Sequence, residues 1–190
     1  MLIDYRKIAD SIDFFEKLGY QRVEAPWWVP PQIIEITRPE GYTEANDYYL
    51  AKNSKCLVAS AEQSFLYMAN QGLLPKGKYQ ATTPCFREEV QGPLKRKYFI
   101  KNELIITDTV NKNALSTIVE QAVAFFKTQV PDISKLSIVA INDTFDVEYA
   151  GVELGSYGIR STPYLDWIYA TGCAEPRLTR AIQNGNYQGK

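Results

Sequence analysis

The segment Thr82–Ile105, TTPCFREEVQGPLKRKYFIKNELI, decides the fold that this sequence predicts. Two runs rich in apolar and aromatic residues, TTPCFREE and KYFIKNELI, flank a polar loop from Val90 to Lys97, in which Gly92-Pro93 supplies the turn. Apolar runs separated by turn residues are typical of paired antiparallel strands. The segment is therefore predicted to be a β-hairpin that carries charged side chains where a core would be apolar.

Several side chains of this hairpin suit a nucleotide. Alternation along a strand places Arg87 and Glu89 on one face, and Phe99, Lys101 and Glu103 repeat the pattern on the partner strand. An arginine and a glutamate two residues apart are often only a solvated ion pair. The partner strand favours binding instead, because Arg87 offers a fork for a phosphate, Glu89 an acceptor for an exocyclic amine, and Phe99 a face for a purine.

The paired runs FREE and FIKNE resemble motif 2 of the class II aminoacyl-tRNA synthetases, in its seryl-type form. The resemblance implies that Arg87 contacts the α-phosphate of ATP and that Glu89 contacts the adenine amino group. It also implies that Phe99 stacks on adenine and that Glu103 faces the amino-acid pocket. The resemblance extends over nearly the whole chain and is greatest for the seryl, glycyl and threonyl types and the related amino acid:[carrier protein] ligases.

The N-terminal region is predicted to be a helix over Asp4–Leu18 that ends at Gly19, followed by an edge strand interrupted by prolines. Such a pattern needs no functional explanation. However, Gly19, Tyr20, Val23 and Pro26 also resemble motif 1 of the same family. The resemblance implies a homodimer formed through residues 4–34, in which exposed Trp27 and Trp28 would suit the interface.

The next candidate begins a second predicted helix, which Ser60 caps and which ends at Gly72 and Pro75. Capping alone accounts for Glu62 in the first turn. Ser60-Ala61-Glu62 also resembles the T-x-E loop of seryl- and threonyl-type enzymes, which implies that Glu62 contacts the amino group of the substrate. Both interpretations remain open at the level of sequence.

Elements outside the hairpin follow from hydrophobic periodicity and turn residues. Residues 33–50 are polar and rich in turn formers, and a strand is expected within 52–58. After the hairpin we expect a helix over Asp108–Gln129, a strand over Leu136–Asn142, and one long strand or two strands over Phe145–Arg160.

The run VELGSYGIR, residues 152–160, resembles the strand that precedes motif 3 in glycyl- and seryl-type enzymes. The resemblance implies that Glu153 helps to hold ATP through Mg²⁺, a cation that prefers carboxylate oxygen. It also places Ser156 in the amino-acid pocket. Without the resemblance, Glu153 would be a surface acid on a sheet.

Motif 3 itself is matched by YATGCAEPRLTRAIQN, residues 169–184. The family uses an arginine here on the γ-phosphate of ATP, and two registers compete for it, Arg177 and Arg180. Pro176 stands where the family usually has glycine, and Asn184-Gly185 is expected to cut the helix short.

Zinc is a further possibility. The chain has three cysteines and no histidine. The order Cys56, Glu103, Cys173 resembles the zinc site of archaeal seryl-tRNA synthetases and of the carrier-protein ligases, where two thiolates and a carboxylate leave one position for the substrate. The alternative is that the cysteines are simply small buried apolar residues.

Length, composition and charge limit which domains and partners the chain can have. With 190 residues, 45% hydrophobic content and a net charge of -1, the chain suits one domain over residues 1–190 with no anticodon-binding domain and no strongly basic nucleic-acid surface. Neither a signal peptide nor an apolar run of about 18 residues is present, so we expect a cytoplasmic protein without membrane contact.

The sequence thus predicts an α+β fold, a mostly antiparallel β-sheet flanked by helices. The resemblance implies an enzyme that uses ATP and Mg²⁺ to activate an amino acid as an aminoacyl-adenylate and passes it to a tRNA, a carrier protein or a small molecule. Its catalytic residues would be Arg87 with Arg177 or Arg180. The alternative is a catalytically inactive paralogue that binds an amino acid or nucleotide, or acts as a dimeric scaffold.

Overall fold

A seven-stranded sheet forms the centre of the structure, a computed structural model that describes residues 3–52, 54–90, 92 and 95–187. In chain order the elements are α1 (Tyr5–Lys17), β1 (Gln21–Arg22), β2 (Trp28–Val29), α2 (Pro31–Thr37), β3 (Tyr48–Leu50), β4 (Lys55–Leu57), α3 (Ala61–Asn70), β5 (Lys78–Phe86), β6 (Tyr98–Ile106), α4 (Lys112–Gln129), β7 (Leu136–Ile141), β8 (Thr144–Tyr149), β9 (Val152–Ser161), β10 (Asp166–Glu175) and α5 (Arg177–Tyr187). Short 3-10 turns lie at Glu44–Asn46 and Ile133–Lys135.

The large sheet has the order β1-β5-β6-β10-β9-β8-β7. Its neighbours are antiparallel except for β1, which runs parallel to β5. A small sheet of order β2-β4-β3 lies beside it. The predicted α+β fold with a mostly antiparallel sheet is confirmed.

The predicted hairpin is confirmed as β5 and β6, whose register runs from Lys78 opposite Ile106 to Phe86 opposite Tyr98. The backbone N–H of Arg87 donates to the carbonyl of Lys97 at 2.9 Å, which extends the pairing by one residue beyond the strands. Of the predicted Gly92-Pro93 turn, Pro93 lies outside the described residues.

Apolar side chains alternate across the hairpin and divide the core in two. Leu104 and Ile106 pack with residues of α1, α4 and α5 on one face of the sheet. Ile105 packs with residues of α2, α3 and the small sheet on the other face. Each face of the central strands is therefore covered, and this positions β6 deep in the molecule.

Several boundaries differ from the predictions because capping residues decide them. The side chain of Asn111 accepts the N–H of Ala114 at 2.9 Å, so α4 begins at Lys112 and not at Asp108. Region 145–160 belongs to two strands, which turn at Ala150 and Gly151 with positive φ values of 49° and 76°. The turn-rich region after Val29 contains the helix α2, whose Ile33 and Ile34 are buried.

The expected end of the last helix at Asn184-Gly185 is wrong, since α5 continues to Tyr187. A Cβ added at Gly185 would lie 2.6 Å from a ring carbon of Tyr149. The glycine therefore allows the helix to approach this ring and does not terminate it. Across the described ranges, no helix is both long enough and apolar enough to cross a membrane.

Candidate active site

A cleft of about 200 Å³ opens over the central strands of the large sheet. Its walls come from β6, β9 and β10, from the segment between Ile34 and Asp47, and from the start of α3. Seven predicted site residues line it: Glu62, Arg87, Phe99, Glu103, Glu153, Ser156 and Arg177. A smaller recess of about 30 Å³ is lined by Glu89 and Arg180 together with Arg87, Phe99 and Arg177.

Arg87 follows the last residue of β5 and is shared by the cleft and the recess. Its Nε donates to the carbonyl oxygen of Ala59 at 3.2 Å, and its guanidinium carbon lies 5.1 Å from the centre of the Phe99 ring. Both contacts hold the guanidinium in place, and its terminal nitrogens, which make no hydrogen bond to the described residues, remain for an anion. A phosphate oxygen is the kind of acceptor that this fork suits.

The two acids after Arg87 make different contacts, and both follow the end of β5, so strand alternation does not determine their directions. Glu89 lines the recess and accepts a hydrogen bond from the hydroxyl of Tyr42 at 2.6 Å. Glu88 accepts from the hydroxyl of Tyr48 and forms an ion pair with Lys97. Only Glu89 of this pair is available to a ligand beside Arg87.

Arg177 is the first residue of α5 and borders both the cleft and the recess. Its Nη1 lies 2.8 Å from Oε1 of Glu153 on β9. Arg180, almost one helical turn later, lines the recess but not the cleft. Its Nη1 donates to the carbonyl of Gly92 at 3.4 Å. Of the two arginines that compete for the motif 3 position, Arg177 is the one that lies beside Glu153 and that lines the cleft as well as the recess.

Two buried carboxylates, Glu103 and Glu62, also line the cleft. Glu103, 1% exposed, accepts from the hydroxyl of Ser60 at 2.6 Å and pairs with Lys101 at 2.8 Å. Glu62, 5% exposed, pairs with Arg160 at 2.7 Å and accepts from the indole N–H of Trp167 at 2.7 Å. Ser60 caps α3, whereas the Glu62 carboxylate is turned towards β9 and β10, so capping alone does not account for Glu62.

These two carboxyl groups titrate differently. Burial raises the pKa of Glu62, and Arg160 offsets this only in part. Burial also acts on Glu103, but Lys101, Ser60 and Arg87 together hold its pKa below the ordinary value. Neighbouring acids whose pKa values move in opposite directions are typical of sites that handle charge or protons.

The zinc site predicted from Cys56, Glu103 and Cys173 is not formed. Cys56 is buried in the apolar cluster around α2, α3 and the small sheet, whereas Cys173 is buried in the cluster around α1, α4 and α5. The two thiols therefore lie on different faces of the large sheet. Cys173 lies opposite Asn102, the neighbour of Glu103 on β6, so the side chains of Cys173 and Glu103 also point to opposite faces. Within the described ranges, no group of three or more His, Cys, Asp or Glu residues could hold a metal ion.

Four further residues, none of which was assigned a site role from the sequence, also line the cleft: Arg38, Tyr42, Lys101 and Arg160. The guanidinium of Arg160 lies 4.3 Å from the ring centre of Tyr169, and Arg38 forms an ion pair with Asp47. Lys101 lies on the same strand face as Phe99 and Glu103, so alternation could have identified it. Arg38 and Tyr42 lie in an irregular segment that has no periodic signal.

Solved synthetase structures share this architecture. A pyrrolysyl-tRNA synthetase from Desulfitobacterium hafniense matches 95% of this chain over 69% of its own length, with a TM-score of 0.75 and 15% identity. The chain has the fold of a class II aminoacyl-tRNA synthetase catalytic core. This synthetase fold is also found in the cytoplasmic serine-tRNA ligase of Naegleria fowleri, solved with AMP, at a TM-score of 0.68 and 20% identity over 94% of this chain.

The seryl-tRNA synthetase of Pyrococcus horikoshii, solved with ATP, matches 92% of this synthetase-like chain with a TM-score of 0.66 and 16% identity. This chain spans 47% and 49% of the lengths of the two seryl-type enzymes. A scan against protein-family models gives no match, and a search of curated proteins gives none either. The synthetase fold therefore rests on structural similarity.

Proposed function

We propose that this protein activates an amino acid with ATP to form an aminoacyl-adenylate and transfers the aminoacyl group to an acceptor. The observation that carries the proposal is the convergence of Arg87, Phe99, Arg177 and Glu153 on the cleft that also contains Glu62 and Glu103, with Glu89 in the adjoining recess. The match to seryl-type structures solved with AMP or ATP supports a nucleotide as one ligand.

In the proposed reaction, a carboxylate oxygen of the amino acid attacks the α-phosphorus of ATP. A new P–O bond forms, the bond to the bridging oxygen breaks, and pyrophosphate leaves with the electron pair. Arg87 would neutralise charge on the α-phosphate, while Phe99 and Glu89 would hold adenine and Arg177 the γ-phosphate. Such catalysis depends on positioning and electrostatics and needs no histidine.

The residues at the phosphate end fit a magnesium ion in a limited way. Glu153 offers a carboxylate beside Arg177, and Mg²⁺ is usually held by one or two carboxylates together with phosphate oxygens and water. Bound Mg²⁺ would neutralise phosphate charge during the transfer. No step is assigned to zinc, because the residues predicted for it lie apart.

Glu62, Glu103 and Ser156 would bind the amino acid. Glu62 is already ion-paired with Arg160, and Glu103 with Lys101, so the ammonium group of an incoming amino acid would share these carboxylates with the two side chains. The proposed acceptor of the aminoacyl group is a tRNA, a carrier protein or a small molecule. We also propose that the protein forms a homodimer through residues 4–34.

The test is amino-acid-dependent exchange of labelled pyrophosphate into ATP, measured with Mg²⁺ for all twenty amino acids. Arg87→Ala should reduce exchange by roughly 100-fold or more, because a charge-assisted contact to the reacting phosphate is lost. The matched control is Lys127→Ala, which removes an exposed cation of α4 outside the cleft and outside residues 4–34 and should leave exchange unchanged.

Exchange with one amino acid that is lost in Arg87→Ala alone would support the adenylating enzyme and identify its substrate. Lack of exchange with every amino acid, from folded protein, would contradict amino-acid activation by this chain on its own. The second candidate, an inactive paralogue that binds a ligand or a partner, then becomes the better hypothesis. It predicts that partner binding survives in Arg87→Ala.

A further inference from the structure

We propose that Tyr42 is a positioning residue for Glu89 and thereby determines which nucleobase the cleft accepts. The inference rests on the proposed function, because it assumes that a nucleoside triphosphate binds beside Arg87 and Phe99. The hydrogen bond from the Tyr42 hydroxyl to Oε1 of Glu89 carries it, since this contact joins two segments that are far apart in sequence.

A tight turn places Tyr42 at the cleft. The N–H of Tyr42 donates to the carbonyl of Pro39 at 3.1 Å, and Gly41 has a φ of +80°, which a glycine adopts without strain. Tyr42 then lines the cleft with Arg87 and Phe99, while Glu89 lines the adjoining recess with the same two residues.

Further contacts keep the Tyr42 segment against the segment that carries Glu89. Asn46 and Glu88 exchange two hydrogen bonds of 3.0 Å, one from the Glu88 N–H to the Asn46 carbonyl and one from the Asn46 amide to the Glu88 carbonyl. Arg38 and Asp47 form an ion pair across the base of the same loop. The distance between Tyr42 and Glu89 is therefore fixed by the backbone as well as by the side chains.

This arrangement orients the carboxylate of Glu89. Oε1 is occupied by the Tyr42 hydroxyl, and Oε2 makes no hydrogen bond within the described part of the chain, so one acceptor remains for a ligand. The contact with Glu89 raises the pKa of Tyr42, which keeps the hydroxyl protonated as a donor at neutral pH. A glutamate held in one orientation loses less conformational entropy when it binds a base.

The oriented acceptor distinguishes bases by the group at the purine 6-position. Adenine has an amino group there, which can donate to Oε2, whereas hypoxanthine and guanine have a carbonyl oxygen, which a carboxylate repels. A flexible Glu89 could turn away from the carbonyl and avoid this repulsion. Tyr42 therefore affects selection between bases and not only the affinity for ATP.

The experiment measures the dissociation constants of ATP and ITP, whose bases differ in the group at the 6-position and, as a consequence, in whether N1 carries a proton. In Tyr42→Phe, ATP should bind about fivefold to tenfold more weakly while ITP binds no more weakly than before, so the preference for ATP falls by at least that factor. The matched control is Tyr48→Phe, which removes the hydroxyl that contacts Glu88 on the side away from the recess. That control should keep the ratio of the wild-type protein.

A second variant tests whether Tyr42 acts through Glu89. In the Glu89→Ala background, Tyr42→Phe should have no further effect on the ATP to ITP ratio, because the carboxylate that it orients has been removed. An unchanged ratio in folded Tyr42→Phe, or additive effects of the two substitutions, would overturn the inference. If the wild-type protein binds neither nucleotide, the proposed function fails first.

Discussion

Single residues in the cleft are arranged so that most charges are compensated before any ligand binds. Three acids each hold a basic partner: Glu62 with Arg160, Glu103 with Lys101, and Glu153 with Arg177. Breaking such a pair by removing one partner is costly when the remaining charge is buried. A substrate that enters the cleft therefore rearranges existing ion pairs, and its affinity is the difference between two sets of contacts.

Glu62 allows a test of this electrostatic description. Its pKa is raised above 4.5 by burial, so the folded protein keeps this proton to higher pH than the unfolded chain. The associated stability is complete below about pH 4.5 and is lost as the pH rises through the folded pKa. In Glu62→Gln this loss disappears, so the free energy of unfolding of the variant relative to wild type should improve as the pH rises above about 4.5.

Urea denaturation at a series of pH values measures this change. Glu120→Gln, which alters an exposed acid on α4, is the control and should follow the wild-type curve. A wild-type stability that rises relative to Glu62→Gln over the same pH range would contradict the assigned direction of the shift.

Residues of the site could be predicted where they belong to paired strands. Arg87 and Phe99 were predicted because alternation and turn residues define both strands of the hairpin. Tyr42 could not be, because it reaches the cleft through a turn and a loop contact that have no sequence period. The zinc prediction failed for a related reason: the order of Cys56 and Cys173 along the chain does not specify that they occupy opposite faces of the sheet.

Among the elements, α4 shows how a cap determines where a helix begins. Asn111→Ala removes the side-chain acceptor of the Ala114 N–H and should lower the free energy of unfolding by about 1 kcal/mol. Asp108→Ala changes the residue at which periodicity alone would start the helix, and it should have little effect. Chemical denaturation of both variants distinguishes the two starts, and a larger loss in Asp108→Ala would contradict the structure.

Helices and strands were easier to predict than their ends. The apolar faces of α1, α3 and α4 follow from residues that recur every three or four positions, since burial on one side requires this period. Glycines are ambiguous, however. Gly19 does end a helix, with a φ of +87°, whereas Gly185 allows α5 to pack against Tyr149. Both glycines follow a helical pattern, and only tertiary contact separates the two uses.

For the whole molecule, the sequence predicted the α+β class and the mostly antiparallel sheet, and the structure confirms both. The order of the strands could not be derived from periodicity, because β10 inserts between β6 and β9 through contacts between distant segments. Assembly beyond one chain remains a prediction. It rests on residues 4–34 and on Trp27, which is 56% exposed.

A substitution of Trp27 tests the proposed homodimer. Trp27→Glu should convert the dimer to a monomer, because a charge replaces an apolar side chain at the proposed interface. Sedimentation equilibrium measures the mass in solution. The control is Tyr164→Glu, which changes an aromatic residue that is 95% exposed between β9 and β10. A monomeric wild-type protein, or dissociation by both substitutions, would contradict the proposed interface.

The pairing of Ile106 on β6 with Ile168 on β10 also has a kinetic consequence. The segment between these residues folds into α4 and into the antiparallel pairs of β7, β8 and β9, which need only local contacts. Pairing β6 with β10 must close the loop formed by this whole segment, and such long-range closure is slow. The cleft spans this junction, so a chain that has not yet paired β6 with β10 lacks the complete cleft, and any ligand that binds there would select for completely folded molecules.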